Sequence, residues 1–145
     1  MEKFNHIGVV VNDIDEAVKN YIKLNPNYRE ISREIVENDL SEISIICDGD
    51  YAIEFVRPIN EKSPVYNFLK KGGGIHHICY STDSIDEYFQ RNKENIRVIK
   101  NKHVGFFGYT IAFFVQRDFS SGIQLYELVE DDGKLIELYG VKKHE

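Results

Sequence analysis

The stretch HIGVVVNDIDE (residues 6–16) recurs as HICYSTDSIDE (residues 77–87), at a constant offset of 71 residues. In both copies a short apolar run follows the histidine, and an Ile-Asp-Glu group then opens a segment with the apolar spacing of a helix. Self-similarity at a fixed offset indicates a chain built from repeated structural units. We therefore predict two similar halves, each beginning with a strand and then a helix.

Three further apolar or alternating runs follow each predicted helix and are separated by turn-forming Asn, Asp and Gly residues. The order βαβββ thus occurs twice. The predicted boundaries are module 1 at about 3–58, a linker at about 59–74, module 2 at about 75–130 and a C-terminal tail at 131–145.

The length of 145 residues favours a single domain. A half of about 70 residues is near the lower limit for burying a core of its own. The two modules should therefore pack together as an α+β domain that encloses a shared cleft. A functional site is expected in that cleft.

The composition excludes several classes of protein. With 42% hydrophobic and 29% charged residues, the chain is too apolar for disorder, and its apolar runs are too short to span a membrane. The formal net charge of −6 makes a nucleic-acid surface improbable. The N-terminus lacks the pattern of a signal peptide, so we expect a cytoplasmic protein. Cys47 and Cys79 lie far apart in apolar runs, which favours buried small hydrophobes over a disulfide or a thiolate zinc site.

Two histidines and two glutamates occupy equivalent strands of the two halves. His6 and His77 are related by the repeat, and Glu54 and Glu127 correspond at an offset of 73 residues. Taken singly, a strand histidine is usually hydrogen-bonded in the core, and a strand glutamate usually faces water. Because the two pairs occupy equivalent strands, we expect the four side chains to converge on one site, where nitrogen and oxygen atoms bind a divalent metal. The residue types do not identify the ion.

These motifs resemble the vicinal oxygen chelate superfamily, which includes the glyoxalase and bleomycin-resistance proteins. The likeness runs from Lys3 to about Glu130 and includes IEFVRP (residues 53–58), SPV (residues 63–65) and GIHHICY (residues 74–80). Within the superfamily the chain is most similar to methylmalonyl-CoA epimerases and glyoxalase-I-like proteins. The resemblance implies the glyoxalase fold, a partly open β-barrel of paired βαβββ modules, and a homodimer.

The resemblance also implies a set of metal ligands. Carried over by position, they are His6, Glu54, His77 and Glu127, holding one divalent ion (Co, Ni, Mn or Zn) whose identity the sequence does not give. Glu137 is a rival for the last ligand, but Glu127 fits the repeat offset better. His76, beside His77, is predicted to lie on the opposite face of its strand and to be structural.

The chemistry implied is removal of a proton next to a carbonyl, with an acyl-CoA thioester or a thiol adduct as the substrate. Glu127 is one candidate acid/base. Glu42 matches the position of a second one in some epimerases, although a solvent-facing glutamate explains it equally well. A lactoylglutathione lyase of the glyoxalase-I type is the alternative reaction, and a metal-free drug-binding protein is a further one. A ring-cleaving iron enzyme is disfavoured, because Glu54 would occupy one of its open coordination positions.

Two segments depart from the epimerase pattern. Residues 104–109 replace a small glycine-rich loop, and residues 116–121 replace a turn that usually contains a His-Pro pair. Both segments are expected where a substrate could be contacted. The substrate can therefore differ from methylmalonyl-CoA.

Overall fold

A computed structural model describes residues 2–131 and arranges them as one mixed sheet of eight strands with three helices. Glu137 and the tail after residue 131 lie outside the described residues. The strands are β1 (Lys3–Val10), β2 (Arg29–Val36), β3 (Ser41–Cys47), β4 (Ala52–Pro58), β5 (Gly74–Thr82), β6 (Ile96–Val104), β7 (Thr110–Gln116) and β8 (Leu125–Glu130). The helices are α1 (Ile14–Leu24), α2 (Tyr66–Lys70) and α3 (Ile85–Arg91).

The strand order β2-β3-β4-β1-β5-β8-β7-β6 confirms the predicted pair of βαβββ modules. Strand β1 pairs parallel with β4, and β5 pairs parallel with β8, so each half repeats the other. The antiparallel pairing of β1 with β5 joins the two halves at the centre of the sheet. The described strands do not close into a barrel, because β2 and β6 remain at the two ends of the strand order. This is the partly open, cleft-forming α+β architecture that the sequence predicts.

The repeated Ile-Asp-Glu group begins a helix in both modules for the same reason. The Asp13 side chain accepts a hydrogen bond from the Glu16 N–H at 3.0 Å, and the Ser84 hydroxyl accepts one from the Glu87 N–H at 3.1 Å. These are N-caps, and the acidic residues of each first turn favour the positive end of the helix dipole. Both helices bury their isoleucine against one face of the sheet, which leaves the other face for the cleft.

Two elements differ from the sequence prediction. The predicted linker contains helix α2, whose five residues are too few to give a helical period in the sequence. Strand β6 continues to Val104, beyond the run at residues 96–100 from which the sequence predicts a strand, because a solvent-exposed edge strand carries no apolar signal there. Both cysteines are buried, as predicted. Among residues 2–131, no helix is both long and apolar enough to cross a bilayer.

Candidate metal centre

The four predicted ligands lie together at the centre of the sheet. His6, Glu54, His77 and Glu127 stand on β1, β4, β5 and β8, the four adjacent central strands. One ligand-capable atom of each lies within 4.8 Å of those of the other three, and all four residues are buried. We call this set the His-Glu cluster. The sequence repeat brings it together because each pair occupies equivalent strands around the β1–β5 junction.

The histidines present the same ring nitrogen, Nε2, to both carboxylates. The Oε1 atom of Glu127 lies 3.2 Å from Nε2 of His6 and 3.1 Å from Nε2 of His77. The Oε1 atom of Glu54 lies 3.6 Å and 3.4 Å from the same two nitrogens. The two Nε2 atoms are 3.3 Å apart. Four donor atoms therefore face one small volume.

Two β-bulges orient the histidine rings. The register of β1 against β5 slips once at Asn5 and once at His76, which are the residues directly before His6 and His77. A bulge re-aims side chains, so both residues turn toward the histidine that follows. Nδ1 of His6 lies 2.7 Å from Oδ1 of Asn5, and Nδ1 of His77 lies 2.9 Å from Nδ1 of His76. These contacts leave Nε2 of each ring free to face the cluster.

The bulge also corrects the prediction for His76. Strand alternation places it on the face opposite His77, but the extra residue in β5 brings both rings to the cleft side. Burial, followed by the neighbouring His77, lowers the pKa of His76 to about 4. His76 is therefore neutral at pH 7 and can accept the Nδ1–H of His77. Partners of this kind fix the tautomer of a metal-binding histidine.

Gly8 makes room for the His77 ring. It lies directly opposite His77 in the β1–β5 register. A β carbon at this position would stand 2.0 Å from Cε1 of the His77 ring. Gly8, whose counterpart in the second copy of the repeat is Cys79, thus serves the site, a role that its position in the sequence does not indicate.

The charge on each member of the His-Glu cluster depends on the charges of the other members. Burial alone lowers the pKa of both histidines, but Glu54 and Glu127 outweigh it and raise the pKa of His6 to about 10 and that of His77 to about 9. Burial likewise opposes ionisation of the glutamates, yet the two histidines hold the pKa of each carboxyl below its usual range. Without a metal, protons on the imidazoles therefore balance the two buried carboxylates at neutral pH.

The cluster fits a divalent metal ion. Oε1 of Glu127 is buried and lies 3.2 and 3.1 Å from the two Nε2 atoms, but no contact with the described residues has hydrogen-bond geometry, as expected of an atom whose partner is an ion. Ligands about 2.1 Å from a shared ion stand about 3.0 to 3.4 Å apart, close to the contacts above. Two carboxylates neutralise a divalent charge when both imidazoles are neutral. Burial raises the pKa of the adjacent Cys79 thiol, so a thiolate ligand is not expected there.

An apolar cavity of about 240 Å³ opens onto the cluster. Glu54, His77 and Glu127 form part of its wall, and His76 borders it. The apolar lining comes from both modules: Val36, Ile43, Val56, Phe106, Ile111 and Phe113. The cavity can therefore hold a small organic ligand against the His-Glu cluster.

Glu42 lies away from this cavity. In the β3–β4 register Ile45 stands opposite Glu54, so the residues of β3 that share the cluster face are 43, 45 and 47. Glu42 stands opposite Arg57, and its carboxylate accepts a hydrogen bond from Arg57 Nε at 3.1 Å. The structure thus brings Glu127 to the site but places Glu42 on the other face of the sheet. This geometry gives no support to Glu42 as a second acid/base.

Asn5→Ala is expected to weaken binding of Co²⁺ to the metal-stripped protein by about 10- to 100-fold, because the His6 ring loses the acceptor that orients it. Asn5→Asp keeps an acceptor oxygen in place and should bind within a few fold of the wild-type affinity. Isothermal titration calorimetry of the three proteins measures the difference. Equal affinity for the alanine and aspartate variants would show that Asn5 does not position His6.

Residues 5–113 match the model of the glyoxalase/bleomycin resistance protein/dioxygenase superfamily. The ethylmalonyl-CoA/methylmalonyl-CoA epimerase of Cereibacter sphaeroides is 32% identical over 124 residues, which cover 81% of this chain and 91% of that protein. A solved structure of a hypothetical protein from Bacillus halodurans C-125 is 30% identical with a TM-score of 0.80, covering 90% of this chain and 95% of that one. A methylmalonyl-CoA epimerase in complex with methylmalonyl-CoA and NH4+ is 25% identical with a TM-score of 0.75, covering 92% and 96%.

Proposed function

The chain belongs to the glyoxalase/bleomycin resistance protein/dioxygenase superfamily, and from that premise we propose that it is a divalent-metal-dependent epimerase of acyl-CoA thioesters. The observation that carries the proposal is the buried His-Glu cluster in the wall of an apolar cavity. The similarity to the epimerase of Cereibacter sphaeroides supports the reaction. The solved epimerase that holds methylmalonyl-CoA supports the substrate class.

In this proposal the four side chains of the His-Glu cluster hold one ion. The chemistry that these residues would gain by holding a divalent ion is polarisation of the substrate carbonyl and stabilisation of the negative charge on its oxygen as the α-proton is removed. The protein contributes a site from which water is largely excluded, since all four ligand residues are buried. Electrostatic stabilisation is stronger in such a site than in water.

Epimerisation requires a base on each face of the reacting carbon, one to remove the proton and one to return it. Glu127 on β8 and Glu54 on β4 flank the β1–β5 pair on its two sides, at nearly the same distances from the histidines. We assign proton transfer on one face to Glu127 and on the other to Glu54.

The direct test is exchange of the α-proton of methylmalonyl-CoA with solvent deuterium, followed by mass spectrometry. Co²⁺-loaded protein is expected to catalyse the exchange, and metal-stripped protein is expected not to. Turnover of methylglyoxal with a thiol, without exchange in the CoA substrate, would contradict the epimerase proposal and favour the hemithioacetal isomerase. Absence of both reactions in the loaded protein would favour a binding protein.

A further inference from the structure

Phe106 forms the part of the cavity wall that lies against the His-Glu cluster. Its ring meets the His6 ring edge-on, with centroids 5.4 Å apart, and the residue is only 2% exposed. It lines the cavity together with Ile111 and Phe113. A ligand whose oxygens reach the cluster therefore has its neighbouring carbon atoms close to the Phe106 ring.

The turn that carries Phe106 is held in place from the opposite module. Phe106–Gly108 connects β6 to β7, and Phe107 within it has a φ of 52°. That left-handed conformation is unfavourable for a residue with a side chain and persists only where surrounding contacts impose it. The Phe107 N–H donates a short hydrogen bond to Oε1 of Glu34, on the edge strand β2 of the first module. This hydrogen bond fixes the turn of the second module to the edge strand of the first module.

The packing beneath the turn leaves little freedom for Phe106 to retreat. A β carbon at Gly105 would stand 2.2 Å from Cδ1 of Ile111, so the backbone already touches the cavity wall there. The Gly105 N–H donates to the Tyr109 carbonyl at 2.8 Å, and the Gly108 N–H donates to the Gly105 carbonyl at 3.2 Å. Phe106 therefore stands on a closed, anchored turn.

We propose that Phe106 is a specificity-determining residue, which restricts the substituent on the reacting carbon to the size of a methyl group, and that Glu34 is its positioning residue. The inference rests on the proposed function, because it concerns the acyl group at the same site. Its physical basis is steric. A longer alkyl group beside the cluster must displace the buried Phe106 ring. The turn that carries this ring is held by contacts within its own module and by the hydrogen bond to Glu34 of the other module.

The test compares α-proton exchange rates of Co²⁺-loaded protein with methylmalonyl-CoA and ethylmalonyl-CoA. The wild type is expected to prefer the methyl substrate by about tenfold or more, the scale on which a pocket distinguishes one methylene. Phe106→Ala should remove most of that preference, and Phe106→Leu should remove part of it if the alanine variant folds poorly. Tyr51→Ala, at an aromatic residue that is 62% exposed and does not line the cavity, is the matched control and should keep the wild-type ratio. An unchanged ratio in both Phe106 variants would overturn the proposal.

Glu34 is tested by rescue. Glu34→Ala should lower the methyl preference, whereas Glu34→Gln keeps an acceptor for the Phe107 N–H and should retain it. Equal ratios in these two variants would refute the positioning role.

A second readout separates this inference from the proposed function. The affinities of methylmalonate and ethylmalonate for the loaded protein are measured by calorimetry, without any turnover. If exchange is absent but Phe106→Ala still removes a preference for methylmalonate, the size limit stands and the epimerase proposal fails. If exchange occurs and neither the rates nor the affinities respond to Phe106, the size limit fails alone.

Discussion

Glu127→Gln is expected to slow α-proton exchange from one enantiomer of methylmalonyl-CoA by about a thousandfold and to leave exchange from the other largely intact. Glu54→Gln should show the opposite preference. In the proposed two-base assignment each carboxylate serves one face of the reacting carbon, because the two flank the β1–β5 pair from opposite sides. Exchange is measured separately for each enantiomer, at Co²⁺ concentrations that saturate each variant.

Glu42→Gln is the matched control for this experiment. Its carboxylate pairs with Arg57 on the other face of the sheet, and the variant should exchange both enantiomers at the wild-type rate. If Glu127→Gln slowed both enantiomers equally and Glu54→Gln slowed neither, one carboxylate would serve both faces and the two-base assignment would be wrong. A loss in Glu42→Gln comparable to that in Glu127→Gln would restore Glu42 as an acid/base.

His77→Ala is expected to reduce affinity for Co²⁺ by about 100- to 1,000-fold and to abolish exchange. If a binding free energy of about 10–16 kcal/mol is shared among four ligands, each accounts for about 2.5–4 kcal/mol. The variant also leaves Glu54 and Glu127 buried with one histidine fewer to offset their charge.

His103→Ala is the matched control, because His103 contacts Asp39 and Phe113 but not the His-Glu cluster. It should bind Co²⁺ with the wild-type affinity in the same calorimetric titration. Wild-type affinity in His77→Ala, with circular dichroism confirming that it is folded, would show that His77 is not a ligand.

The repeat predicts the fold and brings the His-Glu cluster together, because both follow from one internal symmetry. His6 and His77 share an offset, Glu54 and Glu127 share a similar one, and the strand order places all four at the centre. This information is contained in a single sequence. It requires only that equivalent residues occupy equivalent strands.

The face of the sheet on which a strand residue lies is harder to predict, because one extra residue in the strand reverses the alternation of side chains. His76 lies on the cleft side because of a bulge in β5, and the alternation of apolar and polar residues does not predict a bulge. For Glu42, the face is set by the pairing of Ile45 with Glu54, and a resemblance to epimerases does not fix that register. The contact of Asn5 with His6 cannot be predicted from the sequence either, because it depends on the bulge in β1.

Contacts between residues that are far apart in the sequence are also not predicted by the sequence pattern. Residues 104–109 are expected from the sequence to lie where a substrate could be contacted, but the sequence does not show that the Phe106 ring packs on His6. Nor does it show that Glu34, 73 residues away, accepts a hydrogen bond from the Phe107 N–H. Such contacts depend on how the two modules face each other across the cleft.

The central claim is that the His-Glu cluster binds one divalent ion, and titration of metal-stripped protein with Co²⁺ at pH 7 tests it most directly. Calorimetry in two buffers of different ionisation enthalpy gives the stoichiometry and the protons released. We predict one ion per chain and release of about one to two protons, because the ion replaces protons held by His6 and His77, whose pKa values are about 10 and 9. Absence of binding, or binding that persists unchanged in His6→Ala and Glu54→Ala, would contradict the claim.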